Sequence, residues 1–331
     1  MYIKQLFELS MVLDNGRFQK ALNRAYKKAG YLDGDNEEYI DQSVASKGVT
    51  VMFRDSQYKK KVKLLVDWGR IAGSNEKDSD RLIRKLHKRI GEYFDFRYGM
   101  EDFILSGMAL MADIDVHSRE NVSAYLKVLK RIGRVKGFSQ SDYDCFENVD
   151  SFCLDGNSNH INFWLYDLEG LLTDQLENDE ADQKHLKLFR KDVKGIIRAE
   201  VRLTKPSAVR EYTDAYDVSG QIAELSEKSR DIFLDVFTQI IPYGDYYKKD
   251  KAEELVCRNV GDDILRRRML RLLALIPEKK SLYLAQKAMN CRNVEKVMEG
   301  FAKINLSPVT ISKRHDVKYL ECLYTYFLDE E

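Results

Sequence analysis

Three short stretches alternate polar and apolar residues, so that reactive side chains recur at every second position. In "LMADIDVH" these are Asp113, Asp115 and His117; in "HINFWLY" they are His160, Asn162, Trp164 and Tyr166. In "IIRAEVRL" they are Arg198, Glu200 and Arg202. Period-2 alternation puts each set on one face of a strand, with apolar residues such as Ile114, Phe163 and Val201 on the other. Carboxylates and imidazoles on rigid strands are hard-ligand geometry for Mg²⁺ or Mn²⁺. Such an ion acts as a Lewis acid on a phosphoryl oxygen. A tyrosine can be the nucleophile that splits one hard step into two through a covalent intermediate, and arginines beside it can hold phosphate oxygens. The set suits cleavage of a phosphodiester by Tyr166, with Asp113, Asp115 and Glu200 as metal ligands and Arg198 and Arg202 on the phosphates. The plainer alternative is a water-facing sheet surface laced with cross-strand ion pairs, and alternation alone favours it.

The elements that must carry these residues follow from the same periodicities. "GVTVMF" and "YKKKVKLLV" flank a short polar turn and predict a hairpin. "SDRLIRKLHKRIGEYF" has apolar residues at helical spacing with Ser79 as N-cap, and "SRENVSAYLKVLKRI" predicts a helix opened by Ser118. The strand ending at Tyr166 comes next, then a charged helix over about 180–192, then the arginine strand. The order predicts an α+β fold: a mainly antiparallel sheet with helices on one face. From about residue 220 the pattern turns helical almost throughout, with a stripe of Ile232, Phe233, Val236, Phe237 and Ile240. The expected domains are therefore 1–220, α+β, and 221–331, all-helical.

Bulk composition narrows the setting. The chain has 331 residues, 44% hydrophobic and 33% charged, which supports a sizeable core. Lys+Arg and Asp+Glu balance at 54 each, so any polyanion surface must arise from local segregation of charge. Five scattered cysteines without a CxxC fit free thiols in a reducing compartment rather than a zinc module. No apolar run approaches the roughly 18 residues that span a bilayer, and the N-terminus lacks a signal-peptide pattern. A cytoplasmic protein without membrane partners is expected.

Segregated charge is found in two places. Arg54, Lys59, Lys60, Lys61 and Lys63 crowd the predicted hairpin, either to contact phosphates or to protect a sheet edge. Between Arg258 and Lys318 stand 14 Lys and Arg against six Asp and Glu. Within that region "SLYLAQKAM", the turn "NCRN" and "VEKVMEGFAKI" read as helix, turn, helix, with Lys287 and Arg292 placed for DNA. Small helical bundles share this grammar. Other tyrosines stand apart: Tyr212 and Tyr216 could form a nucleophile pair but read better as packing residues. Tyr246 and Tyr247 read as a loop able to stack on bases.

The segment "FWLYDLEGLL", followed about thirty residues later by "GIIRAEVRLTKPSAVR", resembles the rolling-circle replication initiators of phages and plasmids. It is most similar to the proteins related to the filamentous-phage gene II and gene X products, and more distantly to the staphylococcal rolling-circle plasmid initiators. There a strand ending in an "IYDK"-like motif precedes an "R-x-E-x-x-L" strand, behind an aspartate strand like that of "MADIDVHSRENVSAYLKVLKRI". The likeness runs from about residue 48 to the end. It implies a nicking-endonuclease-like fold, Tyr166 as the nucleophile that stays joined to a 5′-phosphate, Asp113 and Glu200 near a Mg²⁺ or Mn²⁺ ion, and an origin in single-stranded or hairpin form. It also implies a host helicase, a polymerase and a second copy of the chain as partners. The sequence departs from the pattern at Leu168, where the family usually has lysine, and at Ala109, where it often has aspartate. Two rival functions accompany this one: a non-catalytic origin- or operator-binding protein on the same fold, and a conjugative relaxase.

Overall fold

A computed structural model of the chain describes residues 2–35, 37–73, 78–141, 146, 148–178 and 192–328. The chain begins with strand β1 (Lys4–Leu13), helix α1 (Asn15–Ala29) and a small ribbon of β2 (Asp33–Asp35) and β3 (Glu38–Asp41). The predicted hairpin is β4 (Val49–Asp55) and β5 (Lys60–Asp67), followed by α2 (Trp68–Ala72) and α3 (Ser79–Tyr93). The aspartate strand is β6 (Ile104–Asp115), leading into α4 (Arg119–Leu129) and two short strands, β7 (Phe138–Gln140) and β8 (Ser151–Gly156). The tyrosine strand is β9 (Ile161–Asp167), followed by α5 (Leu168–Asn178), and the arginine strand is β10 (Ile196–Leu203).

All ten strands form one antiparallel sheet in the order β2-β3-β4-β5-β1-β6-β10-β9-β8-β7. The first strand was not expected from the sequence, yet it occupies the centre and pairs with both β5 and β6. Alternation does its predicted work: Leu110, Ala112, Ile114, Phe163, Leu165, Ile197, Ala199 and Val201 are buried on one face under the helices. Several helices start where a short polar side chain satisfies their free N–H groups. Asp14, Ser118 and Asp217 each accept such a bond. For α3 the cap is Asp78 rather than Ser79, because its carboxylate reaches the N–H groups of Asp80 and Arg81. The charged helix expected over 180–192 lies almost wholly outside the described residues.

The C-terminal region is helical, as predicted. It comprises α6 (Pro206–Arg210), α7 (Val218–Glu227), α8 (Ser229–Ile240), α9 (Lys249–Asn259), α10 (Asp263–Lys279), α11 (Leu282–Ala288), α12 (Val294–Lys303) and α13 (Thr325–Leu328). A two-stranded ribbon of β11 (Tyr246–Tyr247) and β12 (Tyr319–Leu320) is added to it. Composition changes near residue 220, but the buried core runs through it without a break. Phe237 on α8 packs edge-on against Phe163 of β9 at 5.9 Å and against Phe327 of α13 at 4.7 Å. Tyr125 on α4 donates to the carbonyl of Glu321 at 2.8 Å, and Arg131 to that of Thr310 at 2.8 Å. Cys257, Cys291 and Cys322 are free thiols, while Cys153 is disulfide-bonded, unlike the all-thiol expectation. Among the described residues no helix is long and apolar enough to cross a membrane.

Candidate functional site on the polar face of the sheet

Cross-strand register decides which candidates meet. Arg198 lies opposite Asp113 on one side and Tyr166 on the other; Glu200 lies opposite Met111 and Trp164. Directly opposed side chains on an antiparallel pair sit about 5 Å apart. The Arg198 fork accordingly binds Asp113 through Nε at 2.6 Å and Nη2 at 2.9 Å. Lys4 of β1 donates to the same carboxylate at 2.6 Å. Burial alone would raise the Asp113 carboxyl, but the Arg198 bonds and charge, with Lys4, outweigh it and hold the group below its usual range.

Tyr166 donates its hydroxyl to Glu200 at 3.1 Å, and Arg202 pairs with the other Glu200 oxygen at 2.9 Å while lying over the Trp164 ring at 4.5 Å. Two polar groups therefore span four strands, Lys4–Asp113–Arg198 over β1, β6 and β10, and Tyr166–Glu200–Arg202 over β9 and β10. The phenol is only 3% exposed. It packs with Val149 and Leu168 in a small apolar cluster, and the Phe146 ring meets it edge-on at 4.8 Å. Burial and the Glu200 charge push the phenol above the ordinary tyrosine value, with Arg198 opposing them.

The remaining candidates are dispersed. Asp115 ends its strand, and its carboxylate accepts the His117 backbone N–H at 2.8 Å. His117 and His160 have φ of 71° and 54°, left-handed conformations that take both out of strand register. The predicted metal ligands are therefore not gathered. Asp113 is held by two cations, Glu200 by one cation and a hydroxyl, and Asp115 by a turn. Among the described residues, no three His, Cys, Asp or Glu side chains are grouped as a metal ion would need. The arrangement as it stands does not fit Mg²⁺ or Mn²⁺, because cationic side chains already sit against Asp113 and Glu200 and Asp115 is turned onto the His117 backbone.

Leu168, where the resemblance called for lysine, is 3% exposed and packed on Tyr166, so no charge replaces the missing one. Ala109 is likewise buried, opposite Leu6 and Arg202. Arg54, Lys61 and Lys63 of the basic hairpin share the polar face of the sheet, whereas Lys60 alternates with them onto the face of buried Val62 and Leu64. Arg54 and Lys59 are exposed and Lys60 pairs with Asp55. Lys63 pairs with Glu8 at 2.6 Å, and burial followed by the charge of Lys63 lowers the Lys61 ammonium. Five strand spacings of about 4.8 Å and about ten residues of strand length separate Arg54 from Tyr166, on the order of 40 Å in all.

Sequence reasoning missed Lys4 and Glu8, although "KQLFELS" shows the same alternation, because an N-terminal strand has no fixed neighbour until the sheet forms. It also missed the bidentate pair of Arg119 with Glu169, which joins the start of α4 to α5. Of the other tyrosines, Tyr212 donates to Asp235 at 3.4 Å, its phenol pushed up to about 12, chiefly by burial. Tyr216 is fully exposed, so the two are not a juxtaposed pair. Tyr246 is fully buried in the β11–β12 ribbon and so is not a stacking platform. The helix pair is present as α11 and α12, with Leu282, Ala285, Met289, Val297 and Phe301 buried and Lys287 and Arg292 exposed.

No family model matches the chain, and no curated protein matches its sequence. A solved structure of a rolling circle replication initiator protein from Geobacillus stearothermophilus is similar at a TM-score of 0.30 and 10% identity, over 79% of this chain and 90% of that one.

Proposed function

We propose that this chain is a replication initiator of the rolling-circle kind that cuts one DNA strand with Tyr166. The observation that supports this reading is the meeting of Tyr166 with Glu200, Arg198 and Arg202 on one face of adjacent strands. Glu200, which accepts the Tyr166 hydroxyl at 3.1 Å, takes the phenolic proton. The tyrosine oxygen then attacks phosphorus, the bond to the 3′-oxygen breaks, and that oxygen takes a proton from water. The products are a 5′-phosphotyrosine and a 3′-hydroxyl able to prime synthesis. Arg198 and Arg202 stabilise the charge that builds on the phosphate, and no step is assigned to a metal. Phe146 and Val149 must be displaced before a phosphate can reach the hydroxyl. Arg54, Lys61 and Lys63 of the β4–β5 hairpin lie on the same sheet face and offer the strand further phosphate contacts.

A second reading, a DNA-binding protein that keeps the fold without the chemistry, is favoured by the burial of Tyr166 and by the ion pairs that occupy Asp113 and Glu200. One experiment separates the two. Labelled single-stranded DNA carrying the element's own origin is incubated with protein, in Mn²⁺ and separately in EDTA, then denatured and run on a gel. An adduct present in wild type and in Tyr212→Phe but absent in Tyr166→Phe supports cleavage by Tyr166. Tight origin binding with no adduct under either condition establishes the second reading.

A further inference from the structure

A second cluster of charge lies away from the tyrosine, where the loop after α4 meets the C-terminal helices. Arg134 lies over the Tyr283 ring at 4.6 Å from its centroid, and Lys287 over the same ring at 4.7 Å. The contact is built rather than incidental. Gly133 adopts a left-handed φ of 73°, and a Cβ there would stand 2.3 Å from the Ser281 hydroxyl. Ser281 in turn donates to the carbonyl of Ile132 at 3.4 Å and caps the helix that carries Tyr283 and Lys287. Two parts of the chain about 150 residues apart are thus locked together so as to bring two cations to one phenol.

Among the described residues neither cation has a carboxylate within ion-pair distance, in contrast to Lys4, Lys60, Lys63, Arg119 and Arg198. Two cations gathered at one ring without an acid repel one another, and an anion bound beside the ring offsets that cost. A hydrogen bond from Lys287, with the charge of Arg134, holds the Tyr283 phenol below its ordinary value, so the internal partner already feels an anion-attracting site.

We propose that Arg134, Tyr283 and Lys287 form a phosphate clasp for duplex DNA, shared between the sheet-bearing part of the chain and the first helix of the α11–α12 pair. This rests on the DNA-acting reading above and adds where the duplex is gripped. In a helix-turn-helix the first helix crosses the phosphate backbone, and that is the helix which carries Tyr283 and Lys287. The cations and the hydroxyl can hold one phosphodiester, with no base-reading group among them.

The test measures binding of a fluorescently labelled duplex of arbitrary sequence across about 50–200 mM salt. It compares wild type, Arg134→Gln/Lys287→Gln and, as a control, Lys249→Gln, whose lysine pairs with Glu253. Each phosphate contact contributes about 0.9 to the slope of log affinity against log salt. The clasp variant should lose about 0.9 of slope, equivalent to roughly eightfold at 0.1 M salt relative to 1 M. The control should keep the wild-type slope, and Tyr283→Phe should keep it too while binding slightly more weakly. Circular dichroism of each variant establishes that the glutamines leave the fold intact. Should the double glutamine variant unfold, Lys287→Gln alone is used, with the slope as readout. A wild type that binds duplex with an unchanged slope in the clasp variant overturns the proposal alone. A wild type that binds no duplex overturns it together with the reading on which it rests.

Discussion

Replacing Arg198 by alanine tests the charged network most directly. The guanidinium holds Asp113 by two bonds of 2.6 and 2.9 Å, with side chains 18% and 25% exposed. Removing one partner of a fully buried pair costs about 3–5 kcal/mol, whereas exposed pairs contribute about 0–1 kcal/mol. Asp113 keeps Lys4 at 2.6 Å, so the orphaned charge is partly neutralised. The expected loss for Arg198→Ala is therefore about 2 kcal/mol, between those limits. The assay is urea denaturation followed by circular dichroism, run as a double-mutant cycle with Asp113→Ala. Deleting both partners leaves no stranded carboxylate, so the double variant should be destabilised by less than the sum of the singles, with a coupling of at least about 1 kcal/mol. A loss below about 0.5 kcal/mol with no coupling would show a solvated pair, and the reading that this pair ties the arginine strand to the aspartate strand would fall.

Three further outcomes are expected. Asp113 has a folded-state value below its unfolded one, so its contribution is complete at neutral pH and is lost as pH falls through the folded value, below about pH 4. Asp113→Asn should accordingly flatten the acid limb of urea midpoint against pH, and an unchanged limb would sink the assignment. Phe237 is fully buried among rings from β9, α8 and α13, so Phe237→Ala should cost about 3–5 kcal/mol. Because its core is continuous, the loss should appear together in the fluorescence of the two tryptophans, Trp68 and Trp164, and in the far-ultraviolet signal of the helices. Separate transitions would instead mark two independent domains. Finally, Mg²⁺ or Mn²⁺ added without DNA should leave the thermal midpoint where it is, since a ligand stabilises only where the native state binds it. A saturable rise would show that the carboxylates rearrange to hold metal.

The sequence by itself determined the strands of the reactive residues and the faces they occupy. Alternation is a property of the backbone pleat, so Asp113, Tyr166 and Glu200 could be assigned to the polar side before any neighbour was known. It also determined the helical character after residue 220 and the stripe from Ile232 to Ile240, since 3.6-residue periodicity is local too. Tertiary structure alone decided the strand order and register, and with them the chemistry. Placing Arg198 opposite both Asp113 and Tyr166 turned expected metal ligands into ion pairs. The left-handed turns at His117 and His160 took the imidazoles away from the face. Burial of Tyr166 under Phe146, and the joining of Arg134 to Tyr283, depend on segments distant in sequence. Such contacts come from the global minimum of packing and electrostatics, and no local pattern encodes them.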